Sequence, residues 1–110
     1  MGAVGWFSRK RDKGGTAGRD AVMESATIAH LEEFIATRRG VEAFIEQPTT
    51  MTRATLLLIA HDGEWTRRTV AGVDWARGFA GKRGLPAYDA GVVGFPQRMR
   101  DYNARRRSGH

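Results

Sequence analysis

The densest group of side chains that could do chemistry surrounds one Asp-Gly step, where His61, Asp62 and Glu64 stand within four residues. An imidazole beside carboxylates could transfer protons, because a carboxylate stabilises the charged imidazolium. Asp-Gly is also typical of a tight hairpin turn, which needs positive φ angles. The turn alone accounts for Asp62, and we predict that His61 and Glu64 are a solvated pair at the strand ends. A two-residue turn would place Trp65 opposite Ala60.

Other catalytic and metal-binding patterns are missing from the sequence. The chain has no cysteine, which removes disulfides, thiolate metal ligands and cysteine nucleophiles. His30 has no ligand spacing to His61, so we predict a helix-surface residue and no metal site. The Gly-x-Gly-x-x-Gly fingerprint of dinucleotide binding is absent, and we predict no cofactor. Tyr88 and Asp89 could handle a proton together, but a packed tyrosine with a hydrogen-bonded hydroxyl is the more frequent arrangement.

Basic residues are the second chemical signal, and they are concentrated at the two ends of the chain. The net charge is +6, of which residues 1–23 contribute +3 and residues 24–94 contribute −1. Residues 95–110 hold five arginines and one aspartate, which gives +4. Clustered Lys and Arg bind phosphates independently of sequence and in a salt-sensitive way. The residues that we predict to contact nucleic acid are Arg9, Lys10, Arg11, Lys13, Arg98, Arg100, Arg105, Arg106 and Arg107.

The apolar pattern of the first half predicts a helix followed by three strands. Residues 24–39 carry apolar side chains every three or four positions, which indicates a helix. Residues 41–47 alternate between apolar and polar side chains, as in a strand covered on one face. Residues 52–61 are apolar on both faces, which is typical of a central strand. Residues 64–70 then form its hairpin partner.

The second half predicts two more helices around a short strand. A helix is expected over residues 73–83, and residues 86–93 suit an edge strand because they contain a proline and a glycine. A last helix would dock through Phe95, Met99 and Tyr102 and leave its arginines in water. We therefore predict an α+β fold of order α-β-β-β-α-β-α. A three-stranded antiparallel sheet plus a short edge strand packs against two main helices, and the C-terminal helix is basic.

The length suits one domain. We assign residues 24–103 to a single α+β domain, residues 1–23 to a disordered basic N-terminal tail and residues 104–110 to a basic C-terminal tail. The longest apolar run, Leu56–Ala60, is far shorter than the roughly 20 residues that span a bilayer. Together with the absence of cysteine, this predicts a cytoplasmic protein.

Three short segments of the chain lie close together in its pattern: RGVEAF at residues 39–44, AHDGEWTRR at 60–68 and GFPQRMRDYN at 94–103. Together they resemble a family of short actinobacterial proteins of unassigned function. The resemblance covers roughly residues 24–106. Members are sometimes labelled oxidoreductases without a motif that assigns catalytic residues. The resemblance thus implies an actinobacterial source and transfers no site residue.

Three functional hypotheses follow from these residues. The first is a small non-catalytic binding module whose basic ends contact a polyanion, such as RNA, DNA or the ribosome. The second is a small enzyme, in keeping with the oxidoreductase label, with a site at His61, Asp62 and Glu64. The third is a peripheral membrane adaptor, in which Trp6 and Phe7 enter the interface while the following bases meet anionic lipid.

Overall fold

A computed structural model of the chain describes residues 15–108, with side chains from residue 24 onward. Its secondary structure is α+β, and the predicted order α-β-β-β-α-β-α is confirmed, with one short helix added before the last. The elements are α1 (Gly15–Thr37), β1 (Glu42–Glu46), β2 (Thr55–Ile59), β3 (Trp65–Thr69), α2 (Val73–Lys82), β4 (Ala87–Asp89), α3 (Ala90–Val93) and α4 (Gln97–Ser108).

The four strands form one mixed sheet in the order β3-β2-β1-β4. Strands β1, β2 and β3 pair antiparallel, as predicted, whereas β4 pairs parallel with β1. The parallel pair arises because α2 carries the chain from one edge of the sheet to the other, a crossover of the kind that parallel strands need. β4 is also shorter than predicted. It ends at Asp89, whose carboxylate accepts a hydrogen bond from the backbone N–H of Gly91 and so begins α3.

Both faces of the sheet are covered. On one face, Leu31 and Phe34 of α1 and the buried side of α2 pack against Leu56 and Leu58. On the other, Met99 of α4 joins a second cluster that contains Phe44, Leu57, Ile59 and Ala90. Every residue of β2 is buried, which confirms the predicted central strand.

The turn between β2 and β3 has three residues, 61–63, rather than the predicted two. The backbone N–H of Gly63 donates a hydrogen bond to the Ala60 carbonyl (3.0 Å), and Gly63 then adopts a φ of +93°. A turn followed by a left-handed glycine is the usual three-residue hairpin loop. Trp65 therefore lies opposite Ile59, and the predicted pairing with Ala60 is wrong.

Two helices extend beyond the segments that the apolar pattern indicated. α1 begins at Gly15, nine residues before the predicted start. α4 continues to Ser108, five residues into the segment that we predicted as a tail. Alanine and arginine at 104–107 favour helix strongly enough to extend it. Among residues 15–108, no helix is long and apolar enough to cross a membrane.

Candidate functional site

The three residues of the predicted catalytic cluster have separate environments. The Asp62 carboxylate accepts the backbone N–H of Glu64 (3.0 Å), a contact that fixes the turn. Glu64 forms an ion pair with Arg38 of the segment after α1, at 2.7 Å, instead of opposing His61. The hydrogen bond from Arg38 to Glu64 raises the pKa of Arg38. His61 is exposed, and the two carboxylates of this turn contact the Glu64 backbone and Arg38 rather than its imidazole.

His30, predicted to lie on a helix surface, is half-buried and links α1 to β3. Its Nδ1 lies 3.2 Å from a guanidinium nitrogen of Arg68. Because a guanidinium can only donate, Nδ1 must accept, and the ring proton lies on Nε2, which donates to the Thr66 hydroxyl. Burial, followed by the charge of Arg68, lowers the pKa of His30. In the described part of the chain, no group of three His, Asp or Glu side chains could hold a metal ion.

Tyr88 and Asp89 do not act on a common group. Neighbouring residues of a strand point to opposite faces, and Tyr88 packs its ring 5.2 Å from that of Phe44. Asp89 accepts a hydrogen bond from the Gln47 amide, which is the main reason that its pKa is lowered. Asp89 is therefore an ionised structural residue at the end of the sheet.

Arg98, which was also predicted to contact nucleic acid, is half-buried and connects α4 to the sheet. Its Nε donates to the Ala60 carbonyl at 2.9 Å, and its Nη2 contacts the Glu42 carboxylate at 2.7 Å. The side chain is 30% exposed. The guanidinium therefore fastens α4 to the sheet, and the predicted phosphate contact of Arg98 stays a prediction.

The remaining arginines of α4 are exposed and do not pair with carboxylates of the described residues. Arg100 donates to the Phe95 carbonyl (2.9 Å), and Arg105 donates to the Asp62 carbonyl (2.9 Å), so both contact neutral groups. Arg106 lies 3.2 Å from the Tyr102 hydroxyl. The ion pairs of residues 24–108 are formed by Arg38, Arg67, Arg83 and Arg98. Four exposed arginines of α4 thus have no carboxylate partner among the described residues.

An open cleft of about 470 Å³ lies where α4 passes over the start of β3. The indole N–H of Trp65 donates to Oδ1 of Asn103 at 2.8 Å and ties the two elements together. The guanidinium carbons of Arg105 and Arg106 each lie 5.8 Å from the Tyr102 ring centroid. The lining residues are Glu64, Trp65, Tyr102, Asn103, Arg106 and Arg107.

The sequence contained a signal for this cleft that charge counting missed. Tyr102 and Arg106 are four residues apart, as are Asn103 and Arg107, and this spacing places each pair on one side of a helix. This pattern, an aromatic and an amide side chain each followed four residues later by an arginine, therefore indicates one continuous surface of the helix. Its partner strand could not be inferred, since Trp65 lies 38 residues from Asn103.

The predicted contacts near the N-terminus fall outside the described residues. They are the membrane residues Trp6 and Phe7 and the bases Arg9, Lys10, Arg11 and Lys13.

Comparison with known protein families finds no match for this chain, and comparison with curated proteins and with solved structures finds none either. The resemblance to an actinobacterial family and the oxidoreductase label therefore stay predictions.

Proposed function

We propose that this protein is a small non-catalytic module that binds a polyanion, most favourably nucleic acid, through the exposed arginines of α4. The observation that carries the proposal is the concentration of exposed arginines without ion pairs at the end of α4. Arg105, Arg106 and Arg107 are consecutive, exposed and without acidic partners in the described chain. Four other described arginines pair with carboxylates, and the arginines of residues 24–94 that have no ion pair are scattered along the sequence.

The placement of these three arginines favours an extended ligand over a compact one. Successive residues of a helix are about 100° apart, so three in a row surround much of the end of α4. No small anion contacts all of them, but a flexible chain of phosphates can follow the curved surface. Each phosphate neutralised releases bound counterions, which makes the interaction strong at low salt and sequence-independent.

The structure offers fewer contacts in favour of the enzyme hypothesis. A proton-transfer role for His61 needs a carboxylate close to the imidazole, and Glu64 is engaged with Arg38 instead. Asp62 is engaged with the backbone of the turn.

The test is binding of a fluorescently labelled 20-nucleotide RNA and its DNA equivalent across a salt series, read by anisotropy. Replacing the three terminal arginines of α4 by glutamine should weaken binding and reduce the salt dependence. For a single strand, log K changes by about 0.7 per phosphate contact for each unit of log salt. Loss of three contacts therefore reduces the slope by about 2. The variant is Arg105→Gln with Arg106→Gln and Arg107→Gln.

A control variant removes the same net charge from the body of the domain. It replaces three exposed arginines by glutamine: Arg39, Arg53 and Arg77. The proposal requires the control to bind much more tightly than the α4 variant. Equal weakening of both would mean that net charge alone is measured. Absence of binding at low salt, or unchanged binding by the α4 variant, would overturn the proposal.

A further inference from the structure

We infer, building on the proposed function, that the nucleic acid is single-stranded and that one unpaired base enters the cleft between α4 and β3. Arg106 and Arg107 at the rim then contact the phosphates that flank this base. Single-strand binding sites commonly pair a basic surface with aromatic side chains on which bases stack.

The aromatic component consists of Trp65 and Tyr102, which both line the cleft and are both half-buried. Trp65 packs partly against the second core cluster, so the sheet fixes the position of its indole while the rest of the ring remains accessible from the cleft. Its hydrogen bond to Asn103 adds a second constraint. A rigid ring loses little freedom when a base stacks on it, which favours binding.

The polar groups favour a base over a phosphate inside the cleft. The Asn103 carbonyl oxygen already accepts from Trp65, so the amide N–H groups of Asn103 are the donors left for a ligand. Glu64 uses Oε2 for Arg38, which leaves Oε1 as an acceptor. A base edge carries donors and acceptors side by side, whereas a phosphate has only acceptors and is repelled by the Glu64 carboxylate.

The position of the arginines also favours a base inside the cleft and phosphates outside it. Arg106 and Arg107 stand on the outer turn of α4, one helical turn beyond Tyr102 and Asn103. A base within the cleft would therefore carry its phosphates toward the two guanidinium groups. The cleft volume of about 470 Å³ lies within the range of small-molecule sites, about 300–1,000 Å³.

Duplexes should be poor ligands for this cleft. A paired base is stacked within its helix and reaches a protein pocket only after it is unstacked and turned outward. The basic end of α4 alone would not discriminate in this way, because its contacts are to phosphates.

The experiment compares three labelled ligands of equal length with the full-length protein: a single strand, the same strand with abasic sites throughout its central six nucleotides, and a duplex. The abasic strand keeps every phosphate. We expect it to bind about 5-fold to 100-fold more weakly than the intact strand, as for loss of one stacked base. No protein variant is needed for this comparison, so misfolding cannot imitate the result.

A second measurement reports on Trp65 directly. The chain has three tryptophans, and the variant Trp6→Phe with Trp75→Phe leaves Trp65 as the sole indole. Its fluorescence should be quenched by the intact strand and not by the abasic strand. In the same background, Tyr102→Leu should remove most of the preference for the intact strand.

The outcomes separate the two proposals. Tighter binding of the intact strand with quenching of Trp65 supports the cleft site. Equal binding of intact and abasic strands overturns the cleft site while leaving the polyanion proposal in place. Absence of binding to all three ligands at low salt overturns both.

Discussion

The contact between Gly63 and α4 yields the sharpest prediction, for the substitution Gly63→Ala. A Cβ at this position would lie 2.0 Å from the carbonyl oxygen of Arg98 and 2.9 Å from the Tyr102 Cβ. The first of these atoms belongs to the backbone of α4, so no side-chain rotation relieves the overlap. Either the turn or the helix must move, and the helix carries the arginines and the cleft.

The expected cost has two parts. The φ of Gly63 is +93°, and holding an L-residue in the left-handed region costs about 1–2 kcal/mol. Overfilling a well-packed site adds typically about 1–3 kcal/mol. The free energy of unfolding should therefore fall by about 2–5 kcal/mol, a large share of the roughly 5–15 kcal/mol that stabilises a domain.

Urea unfolding followed by circular dichroism measures this loss, and Gly84→Ala is the matched control. Gly84 also has a positive φ, +69°, but a Cβ there would meet nothing within 4 Å. The control should lose only the conformational part, about 1–2 kcal/mol. The close packing of α4 against Gly63 would be refuted as the cause if both variants lost the same amount of unfolding free energy.

Two further predictions concern single side chains. Burial and the charge of Arg68 lower the pKa of His30 in the folded chain. As the pH decreases below about 6.5, the unfolded chain therefore binds more protons than the folded chain, and the free energy of unfolding decreases. His30→Gln should therefore flatten the dependence of unfolding free energy on pH just below 6.5, and an unchanged slope in urea unfolding would contradict this. Arg98→Met should cost about 1–3 kcal/mol by removing the bonds to Ala60 and Glu42, without changing the salt slope of RNA binding. A weaker salt slope with unchanged stability would instead make Arg98 a phosphate contact.

Elements whose pattern is local were predictable from the sequence. β2 has apolar side chains on both faces, and this follows directly from its position between two layers of helices. The parallel direction of β4 could not be predicted in the same way. It depends on where α2 carries the chain, which no run of neighbouring residues specifies. The bounds of β4 were also wrong because the Asp89 cap turns the chain into α3.

The candidate site was less predictable, since its contacts join distant parts of the chain. The partners of Arg98 and Trp65 lie 56 and 38 residues away, respectively. Counting charge along the sequence treats all arginines of α4 alike. Position along the helix separates them, because Arg98 stands in the first turn beside the buried Met99, whereas Arg105 and Arg107 stand two turns later and are exposed.

Position along α4 also explains how one helix can both stabilise the sheet and offer a binding surface. Met99, Asn103 and Arg106 fall close to one line along α4, at steps of four and three residues. The first is buried against the sheet, the second bonds Trp65 at its border, and the third stands at the rim of the cleft. The helix comes close enough for this sequence of contacts only because Gly63 has no side chain. The glycine that permits the fold therefore also positions the proposed nucleic-acid site.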